Sequence, residues 1–485
     1  MKASFRRLFC ILLVICALVP CVPPVRATEE AAAEKLTGKD LVASFEGFPG
    51  IDCLFDGKGD WGLKTSKKAT MTLSDSRGIA SLYFRFGTPC KAFSITNEKT
   101  GETRDWEPKY LHEYVSLKDL FGEVPVTVTL RFTNGPATIY EIEGYTDGIL
   151  PDSVQIWEDP KDGETDLVLF STHCDDEHLF FAGLLPYYAG ERGYQVQLVY
   201  LTSHYKANGY TRMHEALDGL WIAGVRNYPI WGEYYDYPVY NLGDAYRYFN
   251  AYGWSEAEML DFVVAQLRRF KPTVAVGHDL NGEYGHGQHM VWADLLTKAV
   301  EISADESQYP DSAAAYGTWD VPKTYLHLFQ RDPIVMDWDQ PLTAFDGKTA
   351  WEVSMEAYRC HKSQLETLVE AEWYFADHAT AAQSKDYSPV DYGLYRSTVG
   401  PDVEKLDFFE NTTTYTELKR QPEPTEPIPT EAPTEPAAPT EPEIPDETPP
   451  EVPSYPLWPF AVIAAAMVIA LISLLLSRKD RRKNN

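Results

Sequence analysis

Positive charge is scarce in this chain. Against 72 Asp and Glu it sets 43 Lys and Arg, a formal net charge of −29. A surface of that sign repels a polyanion, which excludes nucleic acid as a partner. Cysteine motifs are missing as well. None of the seven cysteines stands in a Cys-x-x-Cys spacing, so a thiolate zinc ribbon and a dithiol redox site are excluded. Three of them (Cys10, Cys16, Cys21) fall in the first 27 residues, and Cys53 and Cys90 are near enough in sequence to pair in an oxidising compartment. No glycine-rich fingerprint follows the first buried strand, which excludes a dinucleotide or other nucleotide cofactor.

Apolar and aromatic residues are plentiful. They make up 44 % of the chain, with 30 Tyr, 22 Phe and 12 Trp, so most of it can bury a core. At 485 residues the chain holds two or three folded units.

Both ends read as targeting signals. Lys2, Arg6 and Arg7 precede a short apolar run, Phe9 to Val19, and Val25-Arg26-Ala27 offers a cleavage point. That is the pattern of a secretory signal peptide over residues 1–27. Residues 457–477 are long and apolar enough to cross a bilayer, and the tail at 478–485 carries Arg478, Lys479, Arg481, Arg482 and Lys483. Basic flanks stay inside, so the chain is expected to be single-pass with its N-terminus outside, on a Gram-positive type of cell surface. Residues 421–455 are nearly all Pro, Glu, Thr and Ala, with Pro-Thr-Glu-Pro at 424–427, 433–436 and 439–442. Such a linker is extended, on the order of 100 Å at ~3.1 Å per residue.

Between these ends the hydrophobic period changes once. Over residues 38–150, short runs such as Leu82, Phe84, Phe86 and Val126, Val128, Leu130 alternate with polar residues, separated by turns such as Asp56-Gly57-Lys58-Gly59. That predicts a small all-β sandwich, loosely similar to galactose-binding-like jelly rolls, serving either as spacer or as sugar-binding module. Over 160–415 continuous apolar runs, starting with Asp166 to Phe170, alternate with helical patterns. The expectation is an α/β domain, a Rossmann-like parallel sheet with helices on both faces.

In such sheets the chemistry gathers at the carboxyl ends of strands. The first strand ends in His173-Cys174-Asp175-Asp176-Glu177, and the fourth leads to His278, Tyr284, Gly285, His286, Gly287, Gln288 and His289. Clustered carboxylates repel one another and lose hydration on burial, so they call for a cation. His173, Asp176 and His289 give three donors with room for water, as in a catalytic zinc site. His178, His204, His214, His278 and His361 read as packing or surface residues, and most of the Tyr and Trp between 228 and 254 as core, with stacking on sugar rings as their other use.

These motifs resemble the PIG-L, or LmbE-like, zinc deacetylases. The family has His-Pro-Asp-Asp-Glu where this chain has His173 to Glu177, and Tyr-Gly-His-x-x-His where it has Tyr284 to His289. Arg212-Met213-His214-Glu215 and His361-Lys362-Ser363-Gln364 match two further motifs. The resemblance implies that His173, Asp176 and His289 bind Zn2+ or another divalent metal, that Asp175 is the general base, that His286 and Tyr284 stabilise the oxyanion, and that Arg212 contacts the sugar. It implies hydrolysis of the N-acetyl group of an amino sugar in a surface glycan. Two departures stand out: Cys174 replaces a proline, and Gly287-Gln288 replaces the family's Pro-Asp. They leave open a catalytically degenerate glycan-binding protein, and a metal hydrolase of another amide or ester.

Overall fold

The computed structural model describes residues 31–36, 38–202, 209–365, 378–384 and 386–420. The signal peptide, linker, membrane span and basic tail read from the sequence lie outside these residues. No helix among the described residues is long and apolar enough to cross a membrane.

Ten short strands come first: β1 Lys35–Leu36, β2 Val42–Glu46, β3 Leu63–Lys64, β4 Ala69–Ser74, β5 Ser81–Phe86, β6 Phe93–Asn97, β7 Thr103–Trp106, β8 His112–Ser116, β9 Thr127–Phe132 and β10 Thr138–Tyr145. They form two antiparallel sheets. One runs β1-β10-β5-β8 with β3 also on β10, and the other runs β2-β4-β9-β6-β7. Their alternating apolar residues share one cluster, Met71, Leu73, Val128 and Leu130 from one sheet and Leu82, Phe84, Ile139 and Ile142 from the other. Cys53 and Cys90 are both free thiols, so the pairing open to them in the sequence is not made.

Seven strands follow in one sheet: β11 Leu167–Ser171, β12 Val196–Thr202, β13 Ile230–Tyr234, β14 Val274–Gly277, β15 Lys323–His327, β16 Pro333–Val335 and β17 Asp391–Ser397. The order is β13-β12-β11-β14-β15-β17-β16. The first five are parallel, whereas β17 runs antiparallel to both β15 and β16. The sheet is therefore mixed, not wholly parallel. β17 lies between β15 and the edge strand β16, where an antiparallel strand needs no crossover.

Two-sided burial explains the unbroken apolar runs. Leu167 and Leu169 pack on one face with Met213, Leu217 and Leu220 of the helix Thr211–Ile222 and with Trp351 of the helix Ala350–Tyr358. Val168 and Phe170 pack on the other with Val263 and Leu267 of the helix Glu256–Phe270 and with Leu295 of the helix Gly287–Ile302. The β sheets meet the α/β sheet through the Thr211–Ile222 helix. Arg85 of β5 binds both carboxylate oxygens of Asp218, at 3.0 and 2.9 Å, and His112 of β8 meets His214 at 2.8 Å.

Candidate metal centre

The carboxyl end of β11 turns at once into a short helix, Asp176–Leu179, and this turn carries the first donors. Asp175 takes a φ of 143°, a region where only glycine is at ease. Its N–H is held by Glu177 Oε2 at 2.8 Å. The strain sits where the chain turns between two consecutive buried carboxylates, Asp175 and Asp176. A second turn comes after β14, where Gly282 and Gly285 flank Tyr284, itself left-handed at φ 46°, before the Gly287–Ile302 helix begins.

The two turns bring three donors together. His173 Nδ1 lies 3.1 Å from Asp176 Oδ2 and 3.1 Å from His289 Nε2, and His289 Nε2 lies 3.3 Å from Asp176 Oδ2. All three residues are buried. Tetrahedral zinc with bonds of about 2.0–2.1 Å separates its donors by about 3.3 Å, so the triangle has the right size. Proton placement decides the fit. His173 Nε2 faces two acceptors, Asp236 Oδ1 at 3.2 Å and Gln288 Oε1 at 3.3 Å, and so carries the proton. His289 Nδ1 faces Glu283 Oε2 at 2.7 Å and carries its own. Two bare nitrogens and a carboxylate oxygen are then left facing each other, an arrangement that a cation stabilises and neutral packing does not. Burial alone would lower the pKa of His173 and His289, but Asp236 and Asp176 hold His173 well above the ordinary range, and Asp176 with Glu283 holds His289 at about 9. The site thus draws positive charge, as protons or as a metal ion.

Glu283 carries no functional signal in the sequence, yet it organises the centre. Fully buried, it accepts from His278 Nδ1 at 2.8 Å, His289 Nδ1 at 2.7 Å, His327 Nδ1 at 2.7 Å and the Asp279 N–H at 3.2 Å. Burial raises its pKa, but the imidazoles, His278 foremost, hold it well below the carboxylate range. His278, which reads in the sequence as packing, accepts the Thr172 N–H on Nε2 at 3.0 Å, and this fixes its proton on Nδ1. Its place at the end of β14 is the one sequence signal for it. Asp236 gives none beyond its position after β13.

The other expected residues fall around this core. The His286 ring lies 5.0 Å from that of His173 and 4.8 Å from that of His289, with the Tyr284 ring 5.3 Å from His286. Burial first, then His173 and His289, lower the His286 pKa to about 2, so it is a neutral imidazole; its buried Nδ1 makes no hydrogen bond. Arg212, expected from the resemblance to contact the sugar, is tied to the turn after β11. Its Nη2 binds Asp175 Oδ1 and the Cys174 carbonyl, both at 2.7 Å. Glu215 of the same motif binds the N–H of Ser363 at 2.8 Å and its hydroxyl at 2.6 Å, joining two of the motifs. A second buried group, Glu177, His178 and His361, could also hold an ion. Burial raises Glu177 to about 8 and lowers His178 to about 3.

The two motif departures have local causes. The Gly287 N–H donates to Val239 O at 2.6 Å, a bond that proline lacks, and a Cβ there would stand 2.8 Å from Asn241 O. Gln288 Nε2 donates to Tyr235 O at 2.8 Å, which turns its Oε1 toward His173. Gln288 therefore orients a donor of the triangle, and Cys174 is simply buried, its thiol pushed up by burial.

Comparison with known proteins agrees with this geometry. The family model described as PIG-L, GlcNAc-PI de-N-acetylase, matches residues 168–300. A 1D-myo-inositol 2-acetamido-2-deoxy-alpha-D-glucopyranoside deacetylase of Geodermatophilus obscurus is 37 % identical over 68 residues, 14 % of this chain and 22 % of that protein. One of the same name from Mycobacterium leprae is 29 % identical over 199 residues, 34 % of this chain and 61 % of that protein. The chain thus spans about a fifth to a quarter of the length of the first such relatives. The N,N'-diacetylchitobiose deacetylase from Pyrococcus horikoshii aligns over 48 % of this chain and 83 % of its own at 16 % identity, with a TM-score of 0.33 that carries no weight alone. The matched span takes in both turns of the donor triangle and ends before His361 to Gln364: residues 168–300 are a PIG-L family domain.

Proposed function

We propose that this protein is a zinc-dependent deacetylase that hydrolyses the N-acetyl group of an amino sugar of the N-acetylglucosamine type in a glycan outside the cell. The observation that carries this reading is the triangle of His173, Asp176 and His289, three donors 3.1–3.3 Å apart with their protons turned outward, inside a domain whose family model and relatives bear deacetylase names.

A divalent ion held by these three residues supplies the Lewis acidity that brings an attacking water into range at neutral pH. Asp175, beside the triangle in sequence and steadied by Arg212, takes the proton of that water and hands it to the amide nitrogen. A C–O bond forms at the acetyl carbonyl, the C–N bond breaks, and acetate and a free amine leave. Tyr284 and the neutral His286 donate to the carbonyl oxygen as its charge grows, worth ~3 kcal/mol for each donor. Arg212 acts by fixing Asp175. The location outside the cell rests on the signal pattern over 1–27 and the basic-flanked apolar segment at 457–477.

The test is acetate release by the full chain from N-acetylglucosamine, its oligomers and peptidoglycan fragments, with and without a chelator and with zinc returned. Release should stop on chelation, return with zinc, and fall by ~10²–10⁴ in Asp175→Asn. Release that ignores the chelator, or survives the substitution, overturns the reading.

A further inference from the structure

The segment that leaves β13 runs from Tyr235 to Asn241 along the carboxyl edge of the sheet, and its tyrosines are out of place in a soluble surface. Tyr237 and Tyr240 are 46 % and 66 % exposed, and Tyr252, at the end of the helix Leu242–Ala251, is 56 % exposed. Tyr237 and Tyr252 belong to one array through Tyr248, and Tyr240 stands beside the donor triangle. Tyr237 stacks on Tyr248 with ring centres 4.2 Å apart and planes within 10°, Tyr248 meets Tyr252 at 4.7 Å, and Tyr240 lies 6.3 Å from the His286 ring. Contiguous exposed rings beside a polar cleft mark a binding surface, because leaving them in water forgoes their burial.

This segment is tied to the donor triangle by the same residues that break the family motif. Gly287 bonds Val239 O, Gln288 bonds Tyr235 O, and Asp236 holds His173 Nε2. The segment is thereby fixed against the start of the helix that supplies His289. Had Gly287 been proline, the bond to Val239 could not form, and its ring would occupy the space that Asn241 O and Val239 now fill.

We propose that Tyr237, Tyr240 and Tyr252 form a saccharide subsite that stacks the sugar units neighbouring the one in the cleft, so that the protein acts on oligosaccharide chains and not on single amino sugars. This rests on the deacetylase reading for the identity of the ligand. Tyrosine suits the role, since its ring face takes the C–H face of a pyranose while its hydroxyl stays wet. The ligand class is accordingly an oligomer of N-acetylated amino sugars.

The test uses the full chain with zinc and N-acetylglucosamine oligomers of one to four units, reading both equilibrium binding by calorimetry and kcat/KM for acetate release. Binding and kcat/KM should rise with length. Tyr237→Ala and Tyr252→Ala should each erase about tenfold of the rise, while the Phe variants keep it. Both rings are exposed, so these variants fold. Turnover without length dependence, or equal losses at every length, overturns the subsite and leaves the deacetylase reading standing. Length-dependent, Tyr-dependent binding without turnover upholds the subsite and overturns the deacetylase reading. Oligomers that neither bind nor react overturn both.

Discussion

Glu283 Oε2 lies 2.7 Å from His289 Nδ1, and this contact decides which nitrogen of His289 is left to hold a metal ion. The same carboxylate takes His278 and His327, so three rings are fixed by one residue. Carboxylates that hold the far nitrogen of a metal-binding histidine typically matter by 10–100-fold in affinity. Glu283→Gln has one acceptor oxygen where two are in use, and its amide group sets donor against donor. Zinc affinity, measured by competition with a chromogenic chelator, is expected to fall by ~10–100-fold, with a loss of ~1–3 kcal/mol in stability for each buried N–H left without a partner. Unchanged affinity would mean that Glu283 serves packing alone.

Arg212 and Asp175 form a second buried pair, at 2.7 Å. Removing one partner leaves the other charge without compensation, which costs ~3–5 kcal/mol. Arg212→Met should therefore lower the unfolding free energy by about 3 kcal/mol, and the double variant Arg212→Met with Asp175→Asn should recover part of the loss. Denaturant unfolding of all four proteins closes the cycle. Additive losses would show that the two side chains do not act as a pair.

Much of this centre is legible in the sequence because it sits at strand ends. Continuous apolar runs fix β11 and β14, and the residues directly after each run have to lie at the carboxyl edge, so His173, Asp176 and His289 can be placed together. The rest depends on approach through space. Glu283 gathers His327 from the end of β15, 44 residues further on, and nothing in the spacing ties the two. Asp236 sits in a tyrosine-rich stretch that reads as core, although Tyr237 and Tyr240 prove exposed. The antiparallel return of β17 escapes because its residues, Asp391–Ser397, lie past the last clear helical pattern and mix tyrosine with polar residues. The bond from Arg212 to Asp175 is likewise hidden, because a sequence motif names a residue without its direction.

Gly287 makes a prediction that runs against the family pattern. Proline is welcome at the first position of a helix, so Gly287→Pro ought to be harmless to the helix itself. Here it deletes the N–H that reaches Val239 O at 2.6 Å, and it fills space where a Cβ would stand 2.8–3.0 Å from Asn241 and Val239. Gly287→Ala keeps the N–H and meets only the crowding. The proline variant should lose at least ~2 kcal/mol, the alanine variant about half of that, and proteases should cut the 235–241 segment faster in the order proline, alanine, wild type. Equal behaviour of the two variants would place the whole cost on space.

Far from the centre, Glu141 of β10 sets a pH dependence of its own. Burial raises its pKa from the ordinary 4.5 to about 7, while the Gly57 N–H, 3.1 Å from Oε2, acts in the opposite direction. The folded protein therefore keeps a proton between pH 4.5 and about 7 that the unfolded chain gives up. Stability falls where the folded state binds the more protons, so this group costs nothing below pH 4.5, a growing amount up to about 7, and a constant amount above. One pKa unit is worth 1.36 kcal/mol, and after allowance for solvent screening the plateau is roughly 1–2 kcal/mol. Glu141→Gln keeps an acceptor for Gly57 without the charge. It should match the wild type at pH 4 and exceed it by that amount at pH 8, read as urea unfolding free energies at the two pH values. A variant no more stable at pH 8 would show that the carboxylate is solvated well enough in place to ionise at its ordinary pH.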